Sequence, residues 1–418
     1  MQLPGWLRPL LYSPRLWVVL MVAAGVRLVV LVAYPLLFPA WEVVPLAGTT
    51  YAHAGTDGYL QLAHTLLHEG RWAYAPTGPA VHNRPPVTSL LMTLTAAPFP
   101  QHWYWTWGLF QLGLHLLGLW VAWRLVQALG LGGWGRGLWL WGLALHPFVL
   151  GTVRTSTFVT PAWLLVLGWA WAMVGVANGH KRAAFAAGLL AGLAALTHAT
   201  LLLLLPLTAL GVFVLTRRWR PVWVVLAVGC LTLAPWTLRN ALTFRQFMPV
   251  ASGVGIQYWK GEAFFSHQPG LEDSVYTHAT GRPLELAYFG TQTPEEDSVF
   301  RTAALADVKA RPGAFIWRTV QAAVFFWVPW ETRPLKPLLA LLLNVPLVVA
   351  LSWGAVGQRN GRYHRLATVL LLPVLGLWGA IALLAAATSY FLMILPLAGL
   401  VAVLYWAPRA DDSSSKSS

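Results

Sequence analysis

Residues 17–37 read WVVLMVAAGVRLVVLVAYPLL, an unbroken apolar run long enough to cross about 30 Å of hydrocarbon as a helix. Runs of the same kind recur near 106–128, 137–151, 158–177, 183–198, 200–216, 221–238, 335–354, 366–386 and 390–407. In a bilayer only helices and closed barrels satisfy every backbone N–H and C=O, and none of these runs alternates polar with apolar residues as a barrel strand does. The spacing predicts an all-α, polytopic membrane protein with about ten transmembrane helices. The first run is too long for a signal-peptide core and no small-residue cleavage site follows it, so it is expected to remain as an uncleaved anchor. Composition agrees: of 418 residues 57% are hydrophobic and 10% charged, with mean hydropathy +0.59, so lipid is the solvent for most of the chain.

The net charge of +14 would point to nucleic acid in a soluble protein. Here the basic residues flank apolar runs, so the charge is a topology signal and no nucleic-acid partner is expected. Arg8, Arg15, Arg136, Lys181, Arg182, Arg217, Arg218, Arg220, Arg359, Arg362, Arg365 and Arg409 all fall on one side if there are ten spans. The positive-inside rule puts that side and both termini in the cytoplasm, with the chain multi-pass in the inner (plasma) membrane. The acidic residues then sort themselves: only Asp411 and Asp412 are cytoplasmic, and the other twelve of the fourteen lie in two outer loops, 38–105 and 239–334. No span carries a carboxylate, which disfavours a proton-coupled transporter. The single cysteine, Cys230, lies in an apolar run and allows no intramolecular disulfide. Residues 1–408 are expected to form one transmembrane domain, followed by a disordered cytoplasmic tail, 409–418.

Within the first loop an amphipathic stretch at 58–70 and an apolar stretch at 87–98 are each too short to span comfortably, and both are expected to be juxtamembrane helices on the outer surface. The segment 313–330 (GAFIWRTVQAAVFFWVPW) is ambiguous. As a span it would reverse the last three helices and expose Arg359, Arg362 and Arg365 outside, so charge favours an interfacial helix. The loop 239–334 is short for a separately folded domain, which predicts loops packed on the bundle.

Several polar residues stand out, each with two readings. Asp57, beside Gly58, has a carboxylate suited to act as a base, or it merely caps the helix that follows. Arg84 precedes Pro85 and Pro86 and either contacts a phosphate bidentately or snorkels to ordinary headgroups. Arg27 sits mid-span and must face the bundle interior, with backbone carbonyls, a lipid phosphate or an outer-loop acid as its possible partners. His53 with Asp57, and His64 with His68, have the i,i+4 spacing of ligands on one helix face, so a divalent metal is conceivable, though interfacial aromatic-like histidines are commoner. The 25 tryptophans read mainly as an interfacial belt.

Three segments, taken in order, carry a resemblance. The first loop reads TDGYLQLAHTLLHEGRWAY (56–74) and then NRPPVTSLLMTL (83–94); AGLLAGLAALTHATLLLLLPL (187–207) follows, and APWTLRNALTFRQFMPVASGVGIQYWKGE (234–262) is the most specific. Together they resemble the GT-C superfamily of membrane glycosyltransferases, and more narrowly glycosyltransferase family 39 and the bacterial aminoarabinose-transferase-like enzymes. The resemblance implies a transferase that moves a sugar from a polyprenyl-phosphate donor to a glycan, lipid or protein acceptor on the outer face. It implies Asp57 as the catalytic base, and Arg84, Arg239, Lys260 and His198 as binders of the departing phosphate. Tyr59, Asn240, Trp259 and Glu262 are then expected to bind substrate. Some relatives use a divalent metal, but no metal ligand set is assigned here.

The chain also departs from that pattern. Thr160 and Pro161 stand where the family often has an acid, His198 where it often has Arg, Ser389-Tyr390 where it has Arg-Tyr, and Glu262 where it has Asn. These departures leave a second reading open, a non-catalytic lipid-binding protein or carrier diverged from the same fold.

Overall fold

The computed structural model describes residues 15–37, 58–131, 133–284, 293–328, 335–357, 363–384 and 390–406. Among them there is no strand, only an isolated bridge between Ala73 and Ala80. The helices in chain order are α1 (Leu16–Leu37), α2 (Tyr59–Glu69), α3 (Pro86–Thr95), α4 (Trp103–Ala128), α5 (Gly133–Leu145), α6 (Pro147–Gly151), α7 (Val159–Ala177), α8 (Ala183–Ala195) and α9 (Leu204–Thr216). They continue with α10 (Trp219–Phe244), α11 (Val254–Phe265), α12 (Leu271–Thr280), α13 (Pro294–Ala310), α14 (Pro312–Trp327), α15 (Leu335–Gly357), α16 (His364–Leu384) and α17 (Phe391–Tyr405). Seven stretches among the described residues are long and apolar enough to cross a membrane. The other three predicted spans also contain helices, but shorter ones: α5, α8 and α17.

Small residues set the closest approaches. On α8 a Cβ at Gly188 would lie 2.6 Å from the Val225 carbonyl oxygen, and one at Gly192 would lie 2.7 Å from Thr232 Cβ, so the backbones of α8 and α10 nearly touch. In lipid this close van der Waals contact does the work that hydrophobic expulsion does in water. Gly118 gives α4 the same intimacy with Trp163 of α7.

The third predicted span is broken. Pro147 has no N–H and disfavours helical backbone at His146, where φ and ψ are −58° and 120°, so α5 stops at Leu145. The Leu143 carbonyl thereby loses its i+4 donor inside the bundle. Arg27, fully buried on α1, answers it: its guanidinium donates to Ala144 O at 2.7 Å, Leu143 O at 3.4 Å and Ala23 O at 3.2 Å. Of the partners open to Arg27 on sequence, backbone carbonyls are the ones found. The irregular segment beyond the break is held by α4 and α7. Gln111 Nε2 donates to Val153 O and Thr155 O, Thr160 Oγ1 donates to Gln111 Oε1 at 2.7 Å, and His115 Nε2 bonds Thr152 Oγ1 at 3.0 Å.

Beyond α10 the chain builds a small helical unit instead of bare loops. Ile256, Tyr258, Trp259, Tyr276, Phe300 and Ala304 form its own hydrophobic core between α11, α12 and α13. The buried Asp297 carboxylate accepts the Ile256 N–H at 3.2 Å and satisfies the first turn of α11, where Gly253 has φ 131°. Burial pushes the Asp297 pKa up, and the backbone hydrogen bonds oppose that shift. Asp297→Ala is expected to destabilise this unit by about 1–3 kcal/mol, because buried N–H groups lose their acceptor. Faster proteolysis within 245–328, with the bundle still intact, is the readout.

Candidate functional site

Five elements bring side chains together at one end of the bundle. Gly58 takes a left-handed φ of 79° as the N-cap of α2, so the backbone turns sharply and buries Tyr59, the first helical residue. The N-cap position belongs to Gly58. Asp57 itself, like His53, lies outside the described residues.

The loop after α2 is stapled by Arg71, which donates to the carbonyls of Pro76 and Gly78, and by Tyr74 Oη bonding Asn83 Oδ1 at 2.8 Å. It delivers Arg84 to the start of α3, where Pro85 and Pro86 have no N–H to give. The first N–H available after them, on Val87, donates to Leu196 O at 3.0 Å and ties α3 to the end of α8. This tether sets the start of α3, next to Arg84, against the end of α8, two residues before His198. The Arg84 guanidinium stands 5.5 Å over the Tyr59 ring and acts electrostatically on His198.

His198 is extended (φ −152°, ψ 132°) and heads the short 3-10 helix Ala199–Leu203. Its Nδ1 lies 2.8 Å from Thr200 Oγ1 and accepts the Thr200 N–H at 3.4 Å. An Nδ1 that accepts from the Thr200 N–H leaves Nε2 as the nitrogen able to donate. The ring packs 4.0 Å from Phe158, at the head of α7, and 5.0 Å from Tyr390, before α17. Phe158 also stacks on Tyr390 at 5.9 Å and meets Tyr59 at 6.3 Å. Tyr59, Arg84 and His198, singled out separately on sequence, thus meet on one aromatic floor. Phe158 and Tyr390 complete it; neither was assigned a binding role on sequence, where Tyr390 stood out only in the Ser389-Tyr390 pair that replaces the family's Arg-Tyr.

The remaining expected residues form two other groups. Arg239 donates to Val81 O and Asn240 Oδ1, each at 2.9 Å, and lies against Trp236 and Phe244. Asn240, fully buried, donates to Met248 O and Val250 O, both at 3.1 Å. These two fasten the first loop and the 248–250 strip to the end of α10. On α11, Trp259 Nε1 donates to Phe300 O at 3.2 Å, and Glu262 lies 3.6 Å from Arg311 and 3.5 Å from Arg318. Lys260 stands between them in sequence. His64 and His68 stack with centroids 4.4 Å apart, and among the described residues no group of three or more His, Cys, Asp or Glu could hold a metal ion.

The architecture has known counterparts. The oligosaccharyltransferase AglB from Archaeoglobus fulgidus, in complex with an inhibitory peptide and a dolichol-phosphate, superposes with TM-score 0.54 at 14% identity, over 93% of this chain and 50% of that one. The same enzyme tethered with an acceptor peptide gives TM-score 0.54 at 14% identity, over 93% and 49%. ArnT from Cupriavidus metallidurans bound to undecaprenyl phosphate is looser, with TM-score 0.39 at 15% identity over 90% of this chain and 77% of that one. No family model matches the chain, and no curated protein sequence does. The fold is shared with AglB, as the resemblance led one to expect. The chain spans about half the length of AglB.

Proposed function

We propose that this protein is an integral-membrane glycosyltransferase that moves a sugar from a polyprenyl-phosphate donor to an acceptor on the outer face of the plasma membrane. The observation that carries this reading is the convergence of Arg84 and His198 on the floor formed by Tyr59, Phe158 and Tyr390. A guanidinium and an Nε2–H suit a phosphate, and an aromatic floor suits a sugar ring or an isoprenoid. That the fold is shared with enzymes whose structures hold a dolichol-phosphate or an acceptor peptide supports the same substrate class here.

In the proposed reaction the bond between the sugar's anomeric carbon and the phosphate oxygen breaks, and a bond to the acceptor's oxygen or nitrogen forms. The acceptor proton passes to Asp57, and polyprenyl phosphate leaves with the bonding electrons. Negative charge grows on the departing oxygen, where Arg84 and His198 Nε2–H stabilise it most in the transition state. Arg239 and Asn240 act on this site by holding the loop that carries Arg84, since Arg239 bonds Val81 directly. Lys260 is a further phosphate contact in this reading, and Trp259 and Glu262 shape the acceptor side.

The test is release of free polyprenyl phosphate from a panel of polyprenyl-phosphate sugars by purified protein, with envelope extract as acceptor. Release identifies a transferase; binding of every lipid with no release identifies the diverged carrier. Arg84→Lys keeps the charge but loses the planar fork and its stacking on Tyr59, so donor affinity is expected to fall about tenfold. Titration of the lipid phosphate against both proteins checks this, and equal affinities would remove Arg84 from the phosphate site.

A further inference from the structure

We propose that α14 is a re-entrant element that enters the membrane from the end of the bundle carrying the site and stops about halfway across it. A membrane-embedded stripe of Ile316, Val320 and Val324 on this helix then faces lipid acyl chains. The inference is independent of the proposed chemistry.

Contacts along α14 act as a depth gauge. Just before its midpoint, Arg318 is buried and donates to Leu383 O at 2.6 Å and to Leu384 O at 3.5 Å, the last carbonyls of α16. Further along, Ala323 O accepts from Trp378 Nε1 at 2.9 Å, and Trp378 lies six residues, about 9 Å, inside the end of α16. At the far end, Trp327 O accepts from Asn344 Nδ2 at 2.7 Å, and Asn344 lies nine residues, about 13 Å, inside α15. The step from Arg318 to Trp327 is itself nine residues of helix, about 13 Å. Three independent partners on two spanning helices therefore agree that α14 descends alongside the bundle.

The helix cannot go on to cross: its 16 residues give about 24 Å against about 30 Å of hydrocarbon. A helix that ends at that depth leaves carbonyls to be satisfied, and such backbone is tolerated only against protein. Asn344, wholly buried in an apolar span, supplies the donor at Trp327 O. The faces divide to match. Arg318, Ala322, Phe325 and Phe326 are buried, whereas Ile316, Trp317, Val320 and Val324 are exposed, an apolar stripe at i,i+4 spacing that water would not tolerate beside spanning helices.

The experiment uses the full chain with Cys230→Ser, reconstituted in phosphatidylcholine–phosphatidylglycerol vesicles. Spin labels are placed one at a time through Ile316→Cys, Val320→Cys and Val324→Cys, exposed positions where replacement removes little packing. Label depth is read from relative collision with oxygen and a nickel chelate. Depth is expected to increase by up to about 6 Å per four-residue step. Three labels within about 2 Å of one another, at the surface, would establish an interfacial helix and overturn the proposal. A separate arm labels Arg365→Cys and Ser274→Cys with a membrane-impermeant maleimide. Opposite sidedness is expected; the same side for both would make α14 a complete span and equally overturn it.

Discussion

Asp57→Asn is expected to lower release of polyprenyl phosphate at least about a hundredfold while the lipid donor binds as before. Asparagine keeps the shape and hydrogen-bonding reach of aspartate but cannot take a proton from the acceptor. The N-cap of α2 is Gly58 in left-handed backbone, and asparagine serves a helix start as well as aspartate does, so stability is expected to change little. The result is read by comparing kcat and KM for the donor with thermal unfolding of both proteins in one detergent. A loss in kcat at unchanged stability places Asp57 in the chemistry. Full activity in the asparagine protein would remove the base, and with it the mechanism proposed here.

The second large effect concerns folding. Arg27→Met removes the guanidinium donors to Leu143 O and Ala144 O at a helix break inside the bundle, and hydrocarbon offers no water in their place. A loss of at least about 2 kcal/mol is expected, seen as a lower unfolding temperature and a smaller monodisperse fraction. Arg27→Lys should recover part of it, since an ammonium still donates to one carbonyl. The protein that remains folded is expected to keep its donor affinity. Unchanged stability with lost donor binding would instead give Arg27 a substrate.

Both residues show where sequence reading stops. The apolar runs decided membrane and helix, because in a bilayer the backbone's hydrogen-bonding requirement leaves one answer to a twenty-residue apolar stretch. The two helices of the first loop were equally legible, from amphipathic spacing at 58–70 and the Pro-Pro start before α3. Motif order then carried the fold-level resemblance, and the superposition on AglB agrees with it.

Helix breaks were less legible. Pro147 is visible in the sequence, but nothing local says that the carbonyls it frees are answered by a residue on α1. The grouping of Tyr59, Arg84 and His198 likewise depends on long-range contacts: Val87 N–H on Leu196 O, and the rings of Phe158 and Tyr390. Arg239 is expected at the departing phosphate and Asn240 and Trp259 at substrate, and the structure adds that each of them holds a backbone carbonyl.

What the sequence determined by itself is therefore what hydrophobic length and local backbone preference set: the solvent and the apolar helices. What only the tertiary structure decided is which polar side chains answer each other across helices, and how deep α14 lies beside α16. Such partners are distant in sequence, and a buried donor is specified by the carbonyl it reaches, not by its neighbours along the chain.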